Sequence, residues 1–122
     1  MKKNEITEGN KSIAIFAGWV TDDGVRYYNP TNNITIYRTD KDFDYHSNWN
    51  TLMSVVDKIE TFEDSTDDFE VGYSVSIECY LCEIRNMVGG CISHGFEQTK
   101  IMSIWVAVVK FIEWYNSPLS KM

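Results

Sequence analysis

The chain has 122 residues, 14% of them aromatic, and a formal charge of −7 from eleven basic and eighteen acidic side chains. That length suits one domain, residues 1–122, and rings at this frequency need a core to bury them, which excludes a disordered acidic tail. The acidic balance excludes sequence-independent binding to duplex nucleic acid, which draws its affinity from neutralised phosphates.

In chain order, Asn10 to Ala17 reads as a short helix with Gly18 as its stop. Val25-Arg26-Tyr27-Tyr28 and Ile34-Thr35-Ile36-Tyr37 read as two strands. Asn29-Pro30-Thr31-Asn32-Asn33 supplies the turn between them, because Pro fixes φ and Asn tolerates positive φ, so the two strands form a hairpin. A second helix begins near Ser47 or Asn48, both good N-caps. Its core face holds Trp49, Leu52, Met53, Val56 and Ile59 at helical spacing, with Asn50, Thr51, Ser54, Asp57 and Lys58 opposite.

The acidic run Glu63, Asp64, Asp67, Asp68 and Glu70 reads as a solvated loop. Residues 71–81 then alternate between apolar and small polar side chains, the period of a strand. From Tyr80 through Ile84 both faces are apolar, which suggests cover at that end. Met87 to Ser93 is the expected partner strand, weakened or bulged at Gly89-Gly90. The last helix is expected from about Glu97 to Tyr115. Its wide stripe comprises Ile101, Ile104, Trp105, Val108, Phe111, Ile112 and Tyr115, while Val106, Val109 and Trp114 lie off it. So apolar a helix lies either at the centre of the fold or in a homo-oligomer interface, and the small chain favours the core. The order is α-β-β-α-β-β-α, an α+β fold with antiparallel sheet packed by helices in layers.

Met1-Lys2-Lys3 is followed at once by Glu5 and Glu8, so no secretory leader is expected. Residues 13–20 are too short, and residues 101–115 too interrupted by Lys110 and Glu113, to supply the ~20 apolar residues of a membrane span. Three cysteines without a leader point to reduced thiols in a cytoplasm.

Cys79, Cys82, Cys91 and His94 have ligand types that suit zinc. Cys79 and Cys82, however, fall in an expected strand, where odd spacing sends side chains to opposite faces, so no metal or other cofactor is expected. His46, near Asp42 and Asp44, has the chemistry of a general base, but a histidine at a helix start more often serves as a local hydrogen-bond partner. No Gly-x-Ser-x-Gly, phosphate-binding or dinucleotide-binding motif occurs, and no catalytic residue is assigned. Trp19, Tyr27, Tyr28, Tyr45, His46 and Trp49 form the candidate surface for a ligand or a partner, since Tyr and Trp offer large stiff rings with a polar tip.

Three segments in order carry a resemblance. They are Ile13-Ala14-Ile15-Phe16-Ala17-Gly18-Trp19, residues 45–60 beginning Tyr45-His46-Ser47-Asn48-Trp49, and Phe111-Ile112-Glu113-Trp114-Tyr115-Asn116. Together they resemble small phage and prophage proteins of the phage ABA sandwich type, whose middle segment typically reads Tyr-His-x-Ser-Trp-Asp-Trp-Leu-Met-Pro-Val-Val-Glu-Lys-Ile. Tyr45, His46 and Trp49 match that pattern, whereas Asn48, Asn50, Thr51 and Ser54 replace its Ser, Asp, second Trp and Pro. Asn50 cannot act as a general acid or base. The resemblance implies helices packed on sheet faces and no particular activity. The expectation is a non-catalytic protein-interaction module in a bacterial cytoplasm, with a host or phage protein as partner. A small-molecule binder with an aromatic pocket and an acidic DNA mimic are the alternatives.

Overall fold

The computed structural model describes residues 2–30, 37–61, 73–86 and 90–117. Its elements run α1 (Lys3–Phe16), β1 (Val20–Thr21), β2 (Arg26–Tyr28), β3 (Arg38–Thr39), a 3-10 turn (Asp40–Asp42), α2 (Trp49–Glu60), β4 (Tyr73–Ile77), β5 (Leu81–Asn86), β6 (Cys91–Phe96) and α3 (Lys100–Asn116). The fold is α+β, with two antiparallel three-stranded sheets ordered β1-β2-β3 and β4-β5-β6.

α1 begins well before Asn10. Its inward positions are Ile6, Gly9, Asn10, Ile13 and Ala14, a helical spacing in which one residue has no side chain and another is polar. The helix stops at Gly18 as expected. Gly18 takes φ 110°, its N–H donates to Ile15 O, and Trp19 N–H donates to Ala14 O. This pair of bonds is a Schellman motif, and glycine enters the left-handed region without a Cβ penalty.

β1 joins β2 by a turn in which Asp23 accepts from the backbone N–H groups of Val25 and Arg26, and Thr21 Oγ1 accepts from Gly24 N–H. Those donors hold the Asp23 carboxyl below the usual carboxylate range. β2 pairs antiparallel with β3 in the register Tyr27↔Arg38, so the paired residues Arg38–Thr39 lie just past the expected second strand, which ended at Tyr37. Residues 31–36, which carry most of the expected turn and second strand, lie outside the described residues. So do the acidic run and residues 71–72, 87–89 and 118.

α2 is capped by Asn48, whose side chain accepts from Thr51 N–H. Leu52, Val55, Val56 and Ile59 are buried, whereas Trp49 remains 43% exposed at the first turn. Lys58 reaches across to donate to Phe16 O, the last residue of α1, and its ammonium lies over the Phe16 ring. A cation thus serves the C-terminal end of a helix that has no basic residue in its own last turn.

The expected strand over residues 71–81 is two strands of a hairpin. The chain reverses at Cys79-Tyr80, where Glu78 N–H donates to Leu81 O and Ile77 pairs with Cys82. β5 pairs with β6, with a register shift at Ile84/Arg85 that leaves Ile92 as the extra residue. Gly90 sits in the β5–β6 connection rather than inside a strand; its N–H donates to Asn86 Oδ1. The apolar end near Tyr80 is open, with Tyr80 exposed and Phe96 73% exposed.

α3 starts at Thr99, whose hydroxyl accepts from Met102 N–H, and lies against the inner face of β4-β5-β6. Gly95 makes this packing possible: a Cβ there would stand 2.0 Å from Ser103 O. Ser93 Oγ donates to Ala107 O across the same contact. Ile104, Trp105, Val108, Phe111 and Ile112 are buried within the chain, so α3 is the central helix.

Candidate functional site

Phe43, which the sequence did not single out, is the centre of the aromatic cluster. Its ring meets Trp19 edge-on at 5.4 Å and Tyr27 edge-on at 5.3 Å, and stacks on Tyr45 at 6.2 Å. Tyr27 is 2% exposed and Tyr45 is also buried, so both are core residues. Burial pushes the Tyr45 phenol above its ordinary value. Tyr28 faces away from Tyr27 and meets Tyr37. Trp19 and Tyr45 line a hollow of about 290 Å³ with Arg38, Asp42 and Asp44 on its rim. Arg38 lies over the Trp19 ring at 5.6 Å. Asp42 accepts from both the N–H and the hydroxyl of Thr39, and its carboxyl is held low by those bonds. Tyr27, Tyr28, His46 and Trp49 are absent from that hollow's lining. The six expected residues therefore do not converge on one site.

His46 belongs to a different arrangement, centred on the buried side chain of Asn10. Trp105 Nε1–H donates to Asn10 Oδ1 at 2.8 Å. Asn10 Nδ2 donates to Phe43 O at 3.0 Å and lies 2.9 Å from His46 Nδ1. An indole N–H only donates and a carbonyl only accepts, so the amide has one consistent orientation. His46 Nδ1 then accepts, and the ring proton sits on Nε2. A polar residue at a core position is thus satisfied on all sides, and it ties α1, α3 and the segment before α2 together.

The four candidate zinc ligands do not come together. Cys82 pairs with Gly95 on the inner face, while His94 pairs with Glu83 on the outer face. Cys82 is buried, Cys79 and Cys91 are exposed, and burial pushes the Cys82 thiol up to about 12. Among the described residues no group of three or more His, Cys, Asp or Glu side chains is placed to hold a metal ion. Among them, too, no helix is long and apolar enough to cross a membrane.

A groove of about 350 Å³ runs between α1 and α3. Trp105, Val106, Val109 and Gly9 make its floor, and Glu5, Glu8, Glu113 and Lys110 its rim. Its depth comes from Gly9, where a Cβ would lie 2.3 Å from the Trp105 ring. Glu8 is paired with Lys11 at 3.2 Å. Half of this groove was legible in the sequence, since Val106 and Val109 stand off the core stripe. The other half, Glu5 and Glu8, lies in a helical turn that the apolar pattern did not reveal.

No family model matches this chain, and neither the curated proteins nor the solved structures give a match.

Proposed function

We propose that this chain is a non-catalytic protein-interaction module of the phage or prophage type, acting in the bacterial cytoplasm, and that the groove between α1 and α3 is its docking surface. The groove is the observation that carries the reading. It offers an apolar floor from Val106 and Val109 beside three carboxylates and one ammonium. A helix of opposite character fits it: apolar residues on the Val106–Val109 floor, and Lys or Arg against Glu5 and Glu113. The chain's charge of −7 adds long-range attraction for such a partner. The engagement of His46 by Asn10 also favours a positioning role for that ring over general base catalysis.

Affinity capture from a bacterial lysate tests the reading, comparing the full chain with a Glu5→Gln/Glu113→Lys variant. Both positions are exposed, so the variant should melt close to the parent. The expected result is a specific protein enriched by the parent and lost from the variant. Equal capture by both chains, or no enriched protein and a co-purifying small molecule, would count against it.

A further inference from the structure

A second concavity lies on the opposite flank of α1. It has a volume of about 520 Å³, and Lys3, Ile6, Thr7, Asn10, Asp40, Lys41, Phe43 and His46 line it. Residues 3, 6, 7 and 10 of α1 face this hollow, whereas residues 5, 8, 9 and 12 face the groove, so the two sites are separate.

Three features converge here. First, the Trp105–Asn10–His46 chain of hydrogen bonds fixes the imidazole with Nδ1 accepting, so Nε2–H is its remaining donor. Among the described residues that donor has no hydrogen-bond partner, and the ring forms part of the wall. Second, the charged groups are Lys3, Lys41 and Asp40, which leave one net positive charge in a chain that is strongly acidic overall. Lys3 also opens α1, where the helix dipole favours an anion. Third, Ile6 and Phe43 give the wall an apolar portion that can hold a hydrocarbon body.

We propose that this hollow binds a small organic monoanion, a carboxylate on an apolar body, with His46 Nε2–H donating to the carboxylate and Lys3 and Lys41 supplying the positive field. One net charge matches a carboxylate better than a phosphate dianion, which would leave a negative charge unbalanced beside Asp40. The donor is positioned before the ligand arrives, because Asn10 is itself buried and fully bonded.

Benzoate is the probe, titrated into the isotopically labelled full chain at fixed ionic strength and followed by NMR. Benzyl alcohol and inorganic phosphate serve as comparators. The expected result is saturable shifts at Thr7, Lys41 and the His46 imidazole, with a Kd on the order of a millimolar. Lys41→Gln, at an exposed position, should weaken benzoate about threefold without unfolding the chain. Shifts that stay linear in benzoate would overturn the proposal. So would benzyl alcohol binding as tightly, phosphate binding more tightly, or unchanged affinity in Lys41→Gln. None of these probes depends on the α1–α3 groove, so failure here leaves the docking reading intact.

Discussion

At the scale of single residues, two buried polar side chains, Asn10 and Cys82, govern much of the chemistry. Asn10 joins three partners, namely the Trp105 indole, the Phe43 carbonyl and His46 Nδ1. Asn10→Ala strands all three and should cost about 3 kcal/mol, measured by urea denaturation; a loss below about 1 kcal/mol would show that water replaces the amide cheaply. Cys82 makes a prediction about pH. Its thiol is raised from 9.0 to about 12 by burial, so the folded chain keeps a proton that the unfolded chain releases. The unfolded state then binds fewer protons, and stability should fall between pH 9 and about 12, by at most about 1.4 kcal/mol per unit. Parallel denaturation of the parent and Cys82→Ala isolates that slope, which the variant should lack. The sequence singled out Cys82 only as a candidate metal ligand, and it did not single out Asn10. Asn10 looked like the polar start of a helix, and only the fold brings Trp105 to it from the other end of the chain. His46 was read as a local hydrogen-bond partner, whereas its partner is Asn10 in α1, far away in the chain.

At the scale of elements, the sequence pattern worked where side chains do the packing and failed where backbone does. α2 and α3 were legible because Leu52, Val56 and Ile59, and Ile104, Val108 and Phe111, mark their buried faces. The first turns of α1 were hidden because Gly9 and Asn10 occupy core positions without adding hydrophobicity. The β4–β5 hairpin was read as one strand because the alternation continues through Cys79-Tyr80. No non-glycine residue among those described has positive φ, so that turn needs none of the Gly or Asn that would announce it. β1 was also missed, although Asp23-Gly24 is a common hairpin turn pair. Close backbone approach yields the sharpest prediction at this scale. Gly95→Ala places a methyl 2.0 Å from Ser103 O, so β6 and α3 must separate. A loss of about 3 kcal/mol or more is expected in urea denaturation, and an unchanged midpoint would contradict the packing.

Across the whole molecule, three sides of α1 face three different environments. Its inner face ties into the core through Asn10, one flank forms the acid-rimmed groove with α3, and the other flank forms the hollow beside His46. Of the residues expected to form a binding surface, Tyr27 and Tyr45 are buried around Phe43, whereas Trp49 is exposed. The apolar stripe of α3 packs inside the chain, which leaves the flank carrying Val106 and Val109 to line the proposed docking groove. The acidic balance of the composition reaches the proposed docking groove through Glu5, Glu8 and Glu113. Native mass spectrometry of the protein purified gently from a bacterial lysate tests this most directly. The account predicts a second, different polypeptide bound in stoichiometric amount to the parent chain and absent from Glu5→Gln/Glu113→Lys. A spectrum of the bare chain alone, a second copy of it in place of another protein, or a partner polypeptide still bound to the variant would contradict the docking assignment.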